Sequence, residues 1–147
     1  MSRAEITLSV PGTNSAGRLR AVPLYTEQYR LLTSENSPLG ERESVTWAEV
    51  GRIPLCLLTP DMQNRRIVSA HLSAHGPAPA PRIESNSMLA ILSHVATGLW
   101  AAVLPRALAQ GLPLPEGVCA RDLTGAPGHV VGLAVPDRDP PPPIVAA

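Results

Sequence analysis

The stretch Pro54-Leu55-Cys56-Leu57-Leu58-Thr59-Pro60-Asp61 decides how the rest of the chain is read. Leu55 to Leu58 carry no strongly polar side chain, so a strand here is apolar on both faces and must be covered on both. Thr59-Pro60-Asp61 then offers an N-cap residue, a proline at the first helical position and an acid in the first turn. That predicts a helix starting at Thr59 and running to about Ala74, with Ile67, Val68, His71 and Leu72 on one stripe. His75-Gly76-Pro77 stops it. The rhythm then repeats. Pro81 to Glu84 predicts a second strand, and Ser85-Asn86-Ser87 gives three capping residues. Met88 to Thr97 is apolar nearly all round (Met88, Leu89, Ile91, Leu92, Val95), as a deeply buried helix would be. Gly98 closes it, and Leu99 to Leu104 forms a third apolar strand before Pro105. Strand, helix, strand, helix, strand, with two-sided strands, is the pattern of a parallel sheet covered by helices. The expected class is α/β.

Outward from this core the pattern thins. Leu19 to Leu24 and Gln28 to Thr33 read as two strands a few residues apart, and Ser34 to Ser44 as a charged loop around Pro38-Leu39-Gly40. Thr46 can cap a short helix, Trp47 to Val50, with Glu49 as its capping-box partner and Gly51 as its end. Beyond Gly111, Gly117 to Leu123 and His129 to Val135 read as strands. At the other terminus Pro11 to Gly17 reads as a loop, while Glu5 to Val10 alternates polar and apolar as a half-buried strand does. That alternation makes it an expected partner for His129 to Val135. Pro140 to Pro143 breaks regular structure and reads as a stiff linker.

The composition excludes several classes. The chain has 147 residues, one domain's worth, with 12 basic residues, all arginine, against 12 acidic ones. A neutral chain lacks the basic face that holds a nucleic-acid backbone. No apolar run approaches the roughly 20 residues of a membrane-spanning helix, and no signal pattern opens the chain, so the expected compartment is the cytoplasm. Cys56 and Cys119 read as buried thiols rather than a disulfide, and two Cys and four His without short spacings do not make a zinc site. No cofactor motif is present; Gly-x-Gly-x-x-Gly is absent.

In open parallel sheets ligands sit beyond the carboxyl ends of the strands, where helices begin. Two such turns are visible: Thr59-Pro60-Asp61-Met62-Gln63-Asn64 and Ser85-Asn86-Ser87. Both offer unpaired N–H groups and short polar side chains near a partial positive charge, which favours a small anion. The same residues can also simply cap their helices. If the two strands are neighbours, the turns share one crevice. Catalysis finds little support, because Asp61 has no adjacent His or second carboxylate and Glu84 reads as a strand end. Arg65-Arg66 reads as a solvated helix face, and His94 as a hydrogen-bonded or partly exposed helix residue. No enzymatic activity is expected.

The residues resemble the effector-binding (substrate-binding) domain of LysR-type transcriptional regulators. Val22-Pro23-Leu24-Tyr25 followed by Tyr29-Arg30-Leu31-Leu32 looks like the paired strands that cross between its two lobes. Ser37-Pro38-Leu39, Thr46-Trp47-Ala48-Glu49-Val50 and Ile53 to Leu58 are similar to its loop, short helix and strand. Ile83 to Ser87 and His94 to Pro105 are similar to its later helix, glycine stop and strand ending in Leu-Pro. The resemblance covers roughly Ala16 to Val135, and Met1 to Ser15 fall outside it. It implies a parallel-sheet lobe of a periplasmic-binding-protein-like (type 2) domain, with an incomplete second lobe and truncation at both ends. In these terms 1–15 is unassigned with a candidate strand, 16–113 is the effector lobe with its crossing strands, 114–135 holds strands returning toward the first lobe, and 136–147 is a proline-rich tail. The resemblance also implies a small-molecule effector contacting Thr59, Pro60, Asp61 and Met62, with Ser85 to Ser87 nearby. It implies a homo-oligomer, and DNA binding only through an N-terminal winged helix-turn-helix absent from this sequence. The run Thr59 to Arg66 resembles a branch associated with formate dehydrogenase operons, hence a small carboxylate as effector. The competing expectation is a truncated, self-associating piece that binds no ligand.

Overall fold

The computed structural model of the chain describes residues 6–9, 19–77, 80–126 and 128–136. The predicted loop Pro11 to Gly17 and the proline run Pro140 to Pro143 lie outside them. In chain order the elements are β1 (Ile6–Ser9), β2 (Leu19–Glu27), β3 (Tyr29–Ser34), β4 (Ser44–Thr46), α1 (Trp47–Val50), β5 (Cys56–Leu58) and α2 (Gln63–Ala74). There follow β6 (Ile83–Ser85), α3 (Met88–Ala96), β7 (Ala102–Pro105), α4 (Arg106–Gly111), β8 (Val118–Thr124) and β9 (His129–Pro136). They form two compact units, Gln28–Ala126 and the pair of segments Met1–Glu27 and Pro127–Ala147.

In the larger unit the strands follow the order β4-β8-β3-β7, and β5 pairs in parallel with β6. A parallel bridge joins the two sets: the Cys56 N–H donates to the Ala101 carbonyl at 2.8 Å and the Ala101 N–H to the Pro54 carbonyl at 3.1 Å. The predicted parallel strands β5, β6 and β7 are therefore present. What alternation alone does not reveal is β3, which runs antiparallel to both β7 and β8 in the middle of the sheet. Two-sided burial follows from the sequence as expected. Leu55, Leu57, Ala101 and Val103 enter one core with Tyr29, Leu31, Trp47, Val68 and Leu72. Cys56, Leu58, Ala102 and Leu104 enter another with Leu32, Ile91, Leu92 and Val95. Helices α1 and α2 cover the first face and α3 the second.

Two expectations need correction. β6 lies at the edge of its pair and is half-exposed along its length, because an edge strand is not enclosed on every side. α3 is not deeply buried all round. Leu89 is 74% exposed and Ser93 and Ala96 face solvent, so the helix is amphipathic despite its apolar composition. Its end is as read: Thr97 caps it and Gly98 follows at φ +81°, a left-handed conformation that favours glycine. α2 likewise stops at Ala74, where the His75 ring bonds the His71 carbonyl at 2.7 Å and the Gly125 carbonyl at 3.0 Å.

α1 has only four residues and depends on its ends. The Glu49 N–H donates to Thr46 Oγ1 at 3.2 Å and the Thr46 N–H to the Glu49 carboxylate at 3.3 Å, which completes the expected capping box. Glu49 also pairs with Arg42. Thr46→Ala is expected to cost about 1 kcal/mol, read as a lower urea midpoint, whereas Thr46→Ser should leave it nearly unchanged.

In the smaller unit β9 is the middle of a three-stranded sheet, antiparallel to β2 and parallel to β1. The alternating N-terminal segment does pair with the His129 strand, with Ile6 opposite Val130 and Leu8 opposite Gly132.

Candidate functional site

The expected ligand turns lie at the carboxyl ends of β5 and β6. Register sets Leu58 opposite Ser85, so the two turns leave adjacent strands from adjacent positions. The condition that the strands be neighbours is met.

The first turn is built differently from the sequence reading. Met62 donates its N–H to the Thr59 carbonyl at 3.0 Å, closing a turn over Pro60 and Asp61. Met62 is then extended (φ −88°, ψ 137°), and α2 begins only at Gln63. Thr59 is therefore not the N-cap, because an extended residue separates it from the helix. The actual cap, Met62, contributes no side-chain hydrogen bond, so the first N–H groups of α2 have no side-chain acceptor from their cap. The Met62 side chain packs inward on the second core with Met88, whereas Pro60, Asp61 and Gln63 are exposed and Asn64 is half-buried.

Thr59 Oγ1 is buried and makes no hydrogen bond of full geometry. Its hydroxyl nonetheless lies toward the Asp61 carboxyl and, with the Asp61 backbone N–H and the more distant Arg66 charge, holds that carboxyl below its ordinary range. Asp61 is thus ionised at neutral pH. Arg66 is exposed and donates from Nη2 to the Asp61 carbonyl at 2.9 Å.

Arg65 departs from the expected solvated face. Its side chain is only 12% exposed, and it donates to the Leu58 carbonyl at 2.9 Å and to Ser69 Oγ at 3.0 Å. It also lies 3.3 Å from the Glu84 carboxylate on β6. One guanidinium thus ties the end of β5, the first turns of α2 and the neighbouring strand together. Sequence spacing could not pair Arg65 with Glu84, since the contact exists only through the β5–β6 register.

The second turn behaves as read. Ser85 Oγ accepts from the Ser87 N–H at 3.1 Å, and Ser87 Oγ accepts from the Ala90 N–H at 3.3 Å as the N-cap of α3. Asn86 is exposed. Of the two helix starts, α3 is side-chain capped and α2 is not.

Cys56 and Cys119 are buried free thiols, each pushed above the ordinary thiol pKa chiefly by burial. Among the described residues no cluster of three His, Cys, Asp or Glu could hold a metal ion, and no helix is long and apolar enough to cross a membrane.

A mixed sheet faced by helices on both sides, with helix starts gathered at the carboxyl ends of adjacent parallel strands, is the build of a periplasmic-binding-protein-like lobe. Residues 5–147 match the LysR substrate binding domain. The chain belongs to that family. The match includes residues 5–15, so the family's extent reaches further toward the N-terminus than the resemblance from Ala16 onward implies. Among solved structures, the reduced form of the OxyR regulatory domain from Pseudomonas aeruginosa is similar at 24% identity and a TM-score of 0.62, over 82% of this chain and 57% of that one. Another structure of reduced OxyR matches at 25% identity and a TM-score of 0.64, over 83% and 57%. Full-length CbnR complexed with its target DNA matches at 16% identity and a TM-score of 0.62, over 80% and 39%. The chain thus spans 57% of the length of these two OxyR chains.

Proposed function

We propose that this chain is the effector-sensing part of a LysR-type regulator, in which the unit Gln28–Ala126 binds a small anionic metabolite at Thr59 to Asn64, with Ser85 to Ser87 alongside. The observation that carries the reading is the parallel pairing of Leu58 with Ser85, which sets both turns at one edge, next to the uncapped start of α2. An anion there accepts from the N–H groups of Gln63 and Asn64 and gains from the partial positive charge of a twelve-residue helix. Asp61, exposed and ionised, follows the same turn and disfavours a multiply charged anion over a singly charged one. A small carboxylate fits. In the intact regulator the DNA contacts come from a separate winged helix-turn-helix, the assembly is a homo-oligomer, and the compartment is the cytoplasm.

Calorimetric titration of the chain with formate and acetate tests this. Saturable heat is expected, and Asp61→Asn should tighten binding about two- to fivefold by removing an exposed repulsive charge. The gain should shrink as salt is raised. No heat with any small carboxylate, in either form of the protein, would refute the reading.

A further inference from the structure

At the opposite end of the strands from the effector turns, the larger unit carries a concavity of ≈ 270 Å³. Pro38, Leu39, Ile53, Pro54, Leu99 and Trp100 supply its apolar walls, and no ionisable side chain lines it. The volume falls a little below the roughly 300 Å³ at which drug-sized ligand pockets begin, which suits a fragment-sized occupant.

The walls are fixed by covalent and backbone constraints. Pro38 and Pro54 have restricted φ, and the Pro54 carbonyl is bonded to the Ala101 N–H. Leu39 and Ile53 rest on one core and Trp100 on the other. At the rim Leu99 is 68% exposed. The left-handed Gly98 sets its direction after α3, and the Leu99 N–H bonds Thr97 Oγ1 at 3.3 Å.

The polar inventory defines what can enter. Ser37 Oγ donates to the Ser34 carbonyl at 2.7 Å and accepts from the Gly40 N–H at 3.0 Å. Its proton is committed, so in the 3.0 Å contact with Thr33 Oγ1 the threonine is the donor. Both hydroxyl protons are therefore used, and Thr33 Oγ1 keeps lone pairs that can accept. A carboxylate would find no cationic side chain here and would lose its hydration against apolar walls.

We infer that this groove is a second ligand site, taking a small, uncharged, largely apolar ring whose single hydroxyl or N–H donates to Thr33 Oγ1. Its chemistry is the opposite of that at the effector turns, and it does not depend on them.

Fluorine NMR titrations of the 147-residue chain at neutral pH test it with 4-fluorophenol, 4-fluoroanisole and 4-fluorobenzoate. The phenol should bind saturably, the anisole about three- to tenfold more weakly for want of a donor, and the benzoate not at all. Thr33→Val should lower the phenol to the level of the anisole and leave the anisole unchanged. Should that variant not fold, amide shifts in the wild-type chain decide instead, with perturbations expected at Leu39, Gly98 and Trp100. Absence of saturable binding, benzoate binding as strongly as the phenol, or perturbations centred on Thr59 to Asn64 would each overturn the inference. A groove reserved for a protein partner would give the first of these results.

Discussion

Trp47→Ala is expected to destabilise the larger unit by about 3–5 kcal/mol, the range for removing a buried large aromatic. Trp47 is 3% exposed although it opens a helix of four residues. Its indole stacks on the His71 ring of α2, with centroids 4.6 Å apart and planes at 22°. It also meets Tyr29 of β3 edge-on, at 6.1 Å and 60°. One side chain therefore joins α1, α2 and the central strand, and its loss opens a cavity no neighbour can fill without moving an element. A typical domain has only about 5–15 kcal/mol of stability, so the variant should be close to unfolded at physiological temperature. Urea unfolding followed by circular dichroism measures the loss. Trp47→Phe should recover part of it. A deficit under about 1.5 kcal/mol, outside the range for a packed aromatic, would show that this cluster does not hold the helices to the sheet.

The second large effect is expected at Gly40, in the loop after β3. Gly40 is buried, and a Cβ there would fall on the Ser34 carbonyl oxygen and lie 3.0 Å from Ser37 Oγ. Neither can retreat freely. Ser34 O accepts from both the N–H and the hydroxyl of Ser37, at 3.0 and 2.7 Å. The Gly40 carbonyl is held from the far side by Arg121, through Nε at 3.0 Å and Nη2 at 2.8 Å. Adding one methyl group must break part of this clamp, so Gly40→Ala is expected to cost about 3 kcal/mol, at the upper end of overpacking effects. Thermal melts of Gly40→Ala against Gly51→Ala separate steric conflict from loss of a loop glycine, since the nearest atom to a Cβ at Gly51 is 3.6 Å away. Equal melting temperatures for the two would mean that the loop yields.

How much of this could be read from sequence depended on the range of the interaction involved. Leu55 to Leu58 announced a strand buried on both faces, and the two cores divide those four residues alternately. Thr46 with Glu49, Ser87 with Ala90, and Gly98 were legible because capping acts within a few residues. Thr59 misled for a related reason. Thr-Pro-Asp serves a closed turn as readily as a helix start, and the extended Met62 that separates the two leaves no mark in composition. The central antiparallel β3, the Arg65–Glu84 contact and the Gly40–Arg121 clamp were hidden, since each joins residues that only the finished sheet brings together. At the candidate site, the two turns and their proximity could be anticipated. That α2 starts from Met62 without a side-chain cap could not.

The placement of β3 between β7 and β8 also has a kinetic consequence. Leu32 must find Ala102 and Thr33 must find Cys119, and Val45 of β4, fully buried in the finished unit, has its strand partner Leu123 on β8. These pairings close loops of many tens of residues, the kind of topology that slows folding because chain entropy is lost before contacts form. During synthesis the early strands therefore emerge long before their neighbours exist. Until Val118 to Thr124 has left the ribosome, β3 and β4 each present an unsatisfied edge to the cell, and the interval is set by translation speed rather than by sequence. The larger unit is in this sense completed from its end, and the last strand to be made is the one that seals the first.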